Sequence, residues 1–291
     1  MISPERNSMV FMMANETAGR KALQEISEDV LRDYRRWFKD HLTHLEIIED
    51  RIRDGVHLKA RHTIHVCAEI RWISKRLGLS AGQIRLAEAL ALFHDVGRFE
   101  QYTKHGAFLD RETVNHATLG VETMEKAGLL SRLHPVTAEI LRKSVLFHNR
   151  KDLPDDEDET VLFFARLVRD ADKLDIWRIV TAYYTRPPEK KVDAIDLNLP
   201  EEPDFSPQIL ADIRAGRSVD ENHMRTQGDF KLMQIAWVYD LNYAPSYQRV
   251  KQRGYLRKIR TTMPDSPVVG KILGQAELYL DSKCKQSNEN G

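Results

Sequence analysis

Histidines and aspartates that could share a metal ion are concentrated in one part of this chain. Eight of the 11 histidines lie between His57 and His148. His94 and Asp95 directly follow the mostly apolar run 86–93, so a buried helix is predicted to end in an imidazole and a carboxylate. Burying both groups without a cation or a partner is costly. Imidazole and carboxylate are ligands of divalent transition metals such as Fe, Mn, Zn and Ni, which makes this pair a candidate metal site.

Two other segments could supply further ligands. His62 has apolar residues four, eight and eleven positions further along a predicted helix, so its side chain is expected to point into the core. His65 lies one turn on, at the edge of the same face. Asp172 and Asp170 both have apolar neighbours at helical spacing, and periodicity alone does not choose between them.

The order of these residues resembles that of the HD-domain metal-dependent phosphohydrolase superfamily. The matching segments are HTIHVCA at 62–68, LFHDVGR at 92–98 and ADKLD at 171–175. This alignment takes His62 over His65 and Asp172 over Asp170, and it extends over about residues 55–185. The resemblance implies that His62, His94, Asp95 and Asp172 bind a metal ion.

Two additional histidines extend the resemblance. His116 opens one predicted helix and His148 closes another. Branches of the superfamily with two such histidines bind two metals. In such a site Asp95 would bridge both ions and be central to catalysis. The alternative is that one or both of these histidines contact substrate or are ordinary residues at helix ends.

The implied ligand set has two parts. One ion would be completed by His62, His94 and Asp172, and the other would be served by His116 and His148. The Gly-Tyr-Pro signature of the cyclic-dinucleotide branch is absent after His148, where Asn-Arg-Lys follows, so cyclic di-GMP is not favoured as the substrate.

Cations near these ligands could bind phosphate oxygens. Arg98 follows the His-Asp pair and Lys173 follows Asp172, and in similar proteins these positions line the pocket. Adjacent helical residues differ by about 100° in direction, so Lys173 could equally face away from the site. Both cations could also be plain surface ion-pair formers.

Residues 98–114 are predicted to form a loop that joins the His-Asp pair to the next helix. We interpret residues 99–108 as a lid or specificity loop, with Tyr102 as a substrate contact and His105 as a proton donor to the leaving group. Alternatively, Phe99 and Phe108 simply anchor the loop to the core.

The resemblance implies a phosphomonoesterase or phosphodiesterase that uses one or two divalent ions. A divalent ion lowers the pKa of bound water toward about 7, which provides a nucleophile at neutral pH. The expected substrate is a small phosphate ester, with a nucleotide favoured. The alternatives are an HD-fold di-iron oxygenase and a regulatory module that binds a nucleotide without turnover.

Helical periodicity dominates the chain, and alternation typical of strands is almost absent. The predicted fold class is all-α, an HD-domain helical bundle with additional C-terminal helices. Helices are predicted at about 20–50, 60–77, 81–93, 115–127, 135–147, 159–184, 207–216, 218–242, 245–262 and 266–283.

Prolines and terminal composition suggest how the chain is divided. Five of the 11 prolines fall within 187–207, which no regular helix can cross. The predicted parts are a flexible N-terminus at 1–19, an HD-domain core with its N-terminal helix at 20–185, a Pro-rich arm at 186–207, a C-terminal helical region packed on the core at 208–282 and a flexible tail at 283–291.

Composition excludes several classes of protein. Lys+Arg and Asp+Glu both number 44, and this balance does not favour bulk binding of nucleic acid. Cys67 and Cys284 have no CxxC-type neighbour, so neither a disulfide framework nor a thiolate zinc site is expected. Apolar stretches are too short to span a membrane, and no secretory signal is predicted. We expect a cytoplasmic protein that binds a small phosphorylated substrate, and the sequence leaves a homodimer open.

Overall fold

A computed structural model describes residues 25–46, 50–106, 108, 110, 113–186, 199–202 and 204–289. Within these ranges the chain is helical and has no strand, which confirms the all-α class. None of the described helices is long and apolar enough to cross a membrane. The N-terminus predicted at 1–19 and most of the Pro-rich arm lie outside the described residues.

The chain divides into two compact units, one ending at Asp172 and the other beginning at Lys173. This boundary lies inside a continuous helix, whereas the sequence suggested a division at the proline-rich segment. The predicted domain ranges, and the packing of the C-terminal region on the core, stay predictions. The helices that begin in the first unit are α1 Glu28–Glu46, α2 Asp50–Arg76, α3 Ala81–Phe93, α4 Val96–His105, α5 His116–Lys126, α6 Pro135–Phe147 and α7 Glu159–Tyr184.

Helix α3 forms much of the core of the first unit. Its start is fixed by a capping box in which the Ser80 hydroxyl accepts from the Gln83 amide and the Gln83 side chain accepts from the Ser80 amide. Every residue from Leu86 to Phe93 is buried. The predicted helix at 81–93 is therefore confirmed, and its apolar sequence is explained by packing on several sides.

The loop predicted at 98–114 is wrong over its first part. Helix α4 continues to His105 and ends only at Gly106, which has a φ of 70°. Gly97 lies in the first turn of α4 and is buried. Tyr102 and His105 therefore belong to a helix, and the predicted lid does not begin before Gly106.

Gly97 allows the backbones of α4 and α5 to approach each other closely. A Cβ atom at this position would overlap the carbonyl oxygen of His116 and would lie 2.5 Å from the amide nitrogen of Gly120. Backbone atoms cannot move aside as a flexible side chain can. The glycine is therefore required by packing between two helices that both carry candidate metal ligands.

We expect Gly97→Ala to lower the free energy of unfolding by about 3 kcal/mol, since overpacking against backbone forces two helices apart. Chemical denaturation of the purified variant measures this change. Gly274→Ala is the matched control, because a Cβ there meets no atom within 4 Å and alanine favours the helix by about 1 kcal/mol or less. Equal stability of both variants would contradict the close approach.

The second unit contains shorter helices than the sequence suggested. The predicted helix at 218–242 is wrong, because this segment holds a 3₁₀ turn at Glu221–His223, a helix over Gln227–Ala236 and another 3₁₀ turn at Trp237–Asp240. Thr226 and Asp229 form a capping box that starts the helix there. The helices of this unit are α8 Pro207–Arg214, α9 Gln227–Ala236, α10 Ala244–Arg253, α11 Tyr255–Arg260 and α12 Pro267–Glu289.

Two other helix boundaries differ from the prediction. The helix expected at 245–262 is split at Gly254, which adopts a φ of 63° and ends α10. The last helix does not end at 283, because α12 continues to Glu289. Residues 283–289 of the predicted tail are therefore helical.

Candidate metal centre

Six side chains converge in the first unit, four of them at or beside helix ends and two within helices. His94 follows the last residue of α3, Asp95 precedes α4, His116 begins α5 and His148 follows α6. His62 lies within α2 and Asp172 within α7. The donor atoms form two groups, each with all its atoms within 4.8 Å of one another: His62, His94 and Asp172 in one, and Asp95, His116 and His148 in the other.

The first group joins α2, the end of α3 and α7. The Nε2 atom of His62 lies 3.0 Å from Oδ1 of Asp172, and Nε2 of His94 lies 3.7 Å from the same oxygen. His65 is exposed, and its Nδ1 donates to the carbonyl oxygen of Arg61. The structure therefore brings His62 and Asp172 together and leaves His65 outside the group.

Asp95 belongs to the second group, and its two carboxylate oxygens point to different groups. Its Oδ2 is 3.6 Å from Nε2 of His62 and 3.6 Å from Nε2 of His94. Its Oδ1 is 3.3 Å from Nε2 of His116 and 3.8 Å from Nε2 of His148. This is the position from which one carboxylate can bridge two ions.

The hydrogen bonds of three histidines determine which ring nitrogens face the centre. Nδ1 of His94 donates to the carbonyl oxygen of Ala91, and Nδ1 of His148 donates to that of Val145, both at 2.7 Å. Nδ1 of His116 donates to a carboxylate oxygen of Asp110, also at 2.7 Å. Because a neutral imidazole carries a single N–H, each Nε2 atom then presents a lone pair.

These lone pairs require a positive charge between them. The Nε2 atoms of His116 and His148 are only 2.9 Å apart, where two lone pairs repel each other. Nε2 of His94 is buried and accepts no hydrogen bond from the residues that the structure describes. A divalent cation would accept these lone pairs, so the donor set fits a metal ion.

Electrostatics keep the donors in the protonation states that metal binding needs. Burial would raise the pKa of Asp95, but the Lys59 ammonium and the imidazoles of His94, His116 and His148 beside it hold the pKa well below its usual value. Burial lowers the pKa of His148 to about 4. The aspartate is therefore ionised and His148 neutral near pH 7, as metal ligands must be.

Asp172 has a similar balance. Burial would raise its pKa, but the imidazoles of His62 and His94 beside it hold the pKa well below its usual value. About a fifth of its side chain is exposed, whereas the histidine rings beside it are almost fully buried. Solvent therefore reaches the first group on the Asp172 side.

Asp110 is a site residue that the sequence analysis missed. Its carboxylate accepts from Nδ1 of His116, from the Arg98 guanidinium and from the side-chain amides of Gln101 and Asn149. Burial opposes ionisation, but the His116 hydrogen bond and charge lower the pKa of Asp110 below its usual value. No sequence pattern links this loop residue to the histidine that it orients.

We expect Asp110→Asn to weaken the ion held by Asp95, His116 and His148 by about tenfold to hundredfold, because a carboxylate that orients a ligand histidine raises its basicity. Titration of the metal-free protein measures this affinity. Asp156→Asn removes an exposed acid from the same unit and serves as the control. An affinity equal to that of the wild type would show that Asp110 does not support the site.

Lys59 is a second residue that the sequence analysis missed. Its ammonium lies 2.6 Å from Oδ2 of Asp95. Lys59 precedes His62 by three residues on α2, so helical spacing could have placed both on one face. The sequence analysis considered only cations that follow the ligands.

Arg98 and Tyr102 were predicted to bind substrate, and both make their closest contacts with residues other than the six candidate ligands. The Arg98 guanidinium lies 2.7 Å from Oδ1 of Asp110, and its Nε is 3.6 Å from Asp95. Tyr102 stacks on Phe108, with ring centroids 4.3 Å apart.

His105 and Lys173 lie away from the donors in the described part of the chain. His105 is exposed at the end of α4, and no described hydrogen bond or ion pair joins it to the two groups. Lys173 belongs to the second unit, where its ammonium pairs with Asp240 at 2.8 Å. No described contact supports the catalytic role of His105 or the substrate contact of Lys173. Both stay predictions.

An all-α fold with two groups of buried histidine and aspartate donors defines a candidate metal-dependent enzyme. Residues 60–177 match the family model of the HD domain, which supports the resemblance to the HD-domain superfamily. The resemblance seen in the sequence is thereby confirmed. No curated protein and no solved structure matches the chain.

Proposed function

We propose that this protein is a two-metal hydrolase of a small phosphate ester, and that the ester is a nucleotide. The observation that carries the proposal is the position of Asp95, which directs one oxygen to each of the two donor groups. In this proposal His62, His94 and Asp172 complete one ion, and His116 and His148 complete the other. Fe, Mn, Zn or Ni would suit these donors.

Divalent ions in such a site would lower the pKa of water and neutralise charge on phosphoryl oxygens. The chain's own residues have distinct tasks. Asp95 holds the two donor groups together, and Asp110 fixes the ring of His116. The exposed parts of Asp172 and Lys59 lie at the side from which an ester can enter, because the histidines are almost fully buried.

The surroundings of the donors favour a phosphate ester whose alcohol part carries an aromatic ring. Phe108 is half-buried and stacks on Tyr102, and the Lys59 ammonium lies 5.5 Å from the Phe108 ring centroid. An aromatic surface beside a cation suits a substrate that carries both a base and a phosphate. This arrangement supports a nucleotide over a purely aliphatic phosphate ester.

The test is a panel of nucleotides, sugar phosphates and cyclic or bis-substituted phosphodiesters, assayed with protein loaded with each metal in turn. We expect phosphate release or diester cleavage with at least one metal, and none after chelation. Iron-dependent consumption of O₂ without phosphate release would instead indicate the oxygenase alternative. Metal-loaded protein that binds nucleotides without turnover would indicate a regulatory module.

A further inference from the structure

We infer that Lys59 contacts the substrate phosphate, so that an ester binds on the Oδ2 side of Asp95. The inference rests on the proposed function and makes it more specific. The Lys59 ammonium lies 2.6 Å from Asp95, which is one of the six candidate ligands. It is also partly open to solvent, with 19% of its side chain exposed.

The position of Lys59 follows from helix α2. Lys59 and His62 are three residues apart, so both side chains leave the helix on the same face. Oδ2 of Asp95 is the oxygen directed toward His62 and His94, as well as the one that Lys59 contacts. The ammonium therefore lies beside the first donor group.

Phe108 and Tyr102 form an aromatic wall beside this ammonium. Phe108 lies under Lys59 and stacks on Tyr102. Tyr102 in turn packs against α2 at Gly55, where a Cβ atom would overlap the tyrosine ring. Gly55 is one turn before Lys59, so the wall is built on the helix that carries the lysine. A cation restrained in this way binds an anion with less loss of side-chain entropy.

The other two cations that the sequence suggested make their closest contacts with residues that are not candidate ligands. Arg98 is bound by Asp110, the Gln101 side chain and the carbonyl oxygen of Phe108. Lys173 is paired with Asp240 in the second unit. The Nε atom of Arg98 lies 3.6 Å from Asp95, beyond hydrogen-bond distance, whereas the Lys59 ammonium lies 2.6 Å from this candidate ligand. A cation bound by Asp95 would take up the charge that Lys59 otherwise neutralises, which leaves the ammonium to attract a phosphate oxygen.

Binding of inorganic phosphate to metal-loaded protein tests the inference without relying on turnover. Calorimetry is performed on the wild type, Lys59→Met, Lys59→Arg and Lys104→Met, with metal content measured for each. Loss of a charge-assisted hydrogen bond is expected to weaken phosphate binding about tenfold to hundredfold in Lys59→Met. Lys59→Arg should recover part of this loss. Lys104→Met should match the wild type, because Lys104 is exposed and pairs with Glu100.

Each other outcome has a definite meaning. Wild-type phosphate affinity in Lys59→Met would overturn the inference and leave Lys59 as a counterion of Asp95. Loss of metal in Lys59→Met would also overturn it, because the lysine would then help to build the centre. If phosphate binding depends on Lys59 but no ester is hydrolysed by the wild type, the inference stands and the proposed function fails.

Discussion

Asp95→Ala is expected to remove bound metal and hydrolytic activity together while the protein stays largely helical. Asp95 offers one oxygen to each donor group, so its loss removes a ligand from both ions at once. Changes even to groups that only orient a ligand weaken metal binding by about tenfold to hundredfold, and loss of a shared ligand should exceed that. Elemental analysis after dialysis measures the metal, and phosphate release from the best substrate measures the activity.

The substitution also leaves the Lys59 ammonium without its carboxylate partner. A partly buried cation that has lost its partner destabilises the fold, so unfolding must be separated from loss of the site. Far-UV circular dichroism of Asp95→Ala gives the helical content. The double variant Asp95→Ala/Lys59→Met removes the unpaired charge and should be stable yet still free of metal. Asp156→Ala is the control for an exposed acid. Metal and activity that both persist in Asp95→Ala would exclude the proposed centre.

His148→Ala is expected to halve the metal content per chain without emptying the site. His148 Nε2 lies 2.9 Å from His116 Nε2 and 3.8 Å from Oδ1 of Asp95, and it belongs to the second group only. The ion held by His62, His94 and Asp172 does not depend on it. Elemental analysis of the wild type and the variant, purified in parallel, gives the ratio.

His62→Ala is the matched variant for the other ion, because His62 belongs to the first group only. We expect it to lose one ion as well, and we expect the double variant to retain none. An unchanged metal content in His148→Ala would make this histidine a bystander and favour a site with one ion. Both single variants remove a buried ring, so their helical content is compared with that of the wild type.

Local sequence rules determined much of the donor set. Apolar spacing along α2 predicted that His62 faces inward and Ser80 predicted the start of α3, because both features depend on residues within a few turns. Asn115 caps the helix that begins at His116, and Pro135 begins the helix that ends before His148. Family resemblance then chose Asp172 where periodicity left Asp170 open.

Tertiary packing decided what local rules could not. Glycine is common where helices end, yet Gly97 lies inside α4. A neighbouring helix needs the space that a side chain at this position would fill. Asp110 becomes a partner of His116 only when the folded chain brings its carboxylate to Nδ1 of that histidine. The helix and loop propensities of nearby residues do not predict this contact between Asp110 and His116.

The sequence by itself predicted an all-α chain and a set of six candidate metal ligands. Only the tertiary structure decided that the Lys59 ammonium lies 2.6 Å from Asp95, whereas Arg98 and Lys173 make their closest contacts with other residues. Arg98, Lys59 and Lys173 are all compatible with a phosphate contact by residue type. Their partners come from residues distant in the chain, so the direction of each long side chain follows from how helices pack.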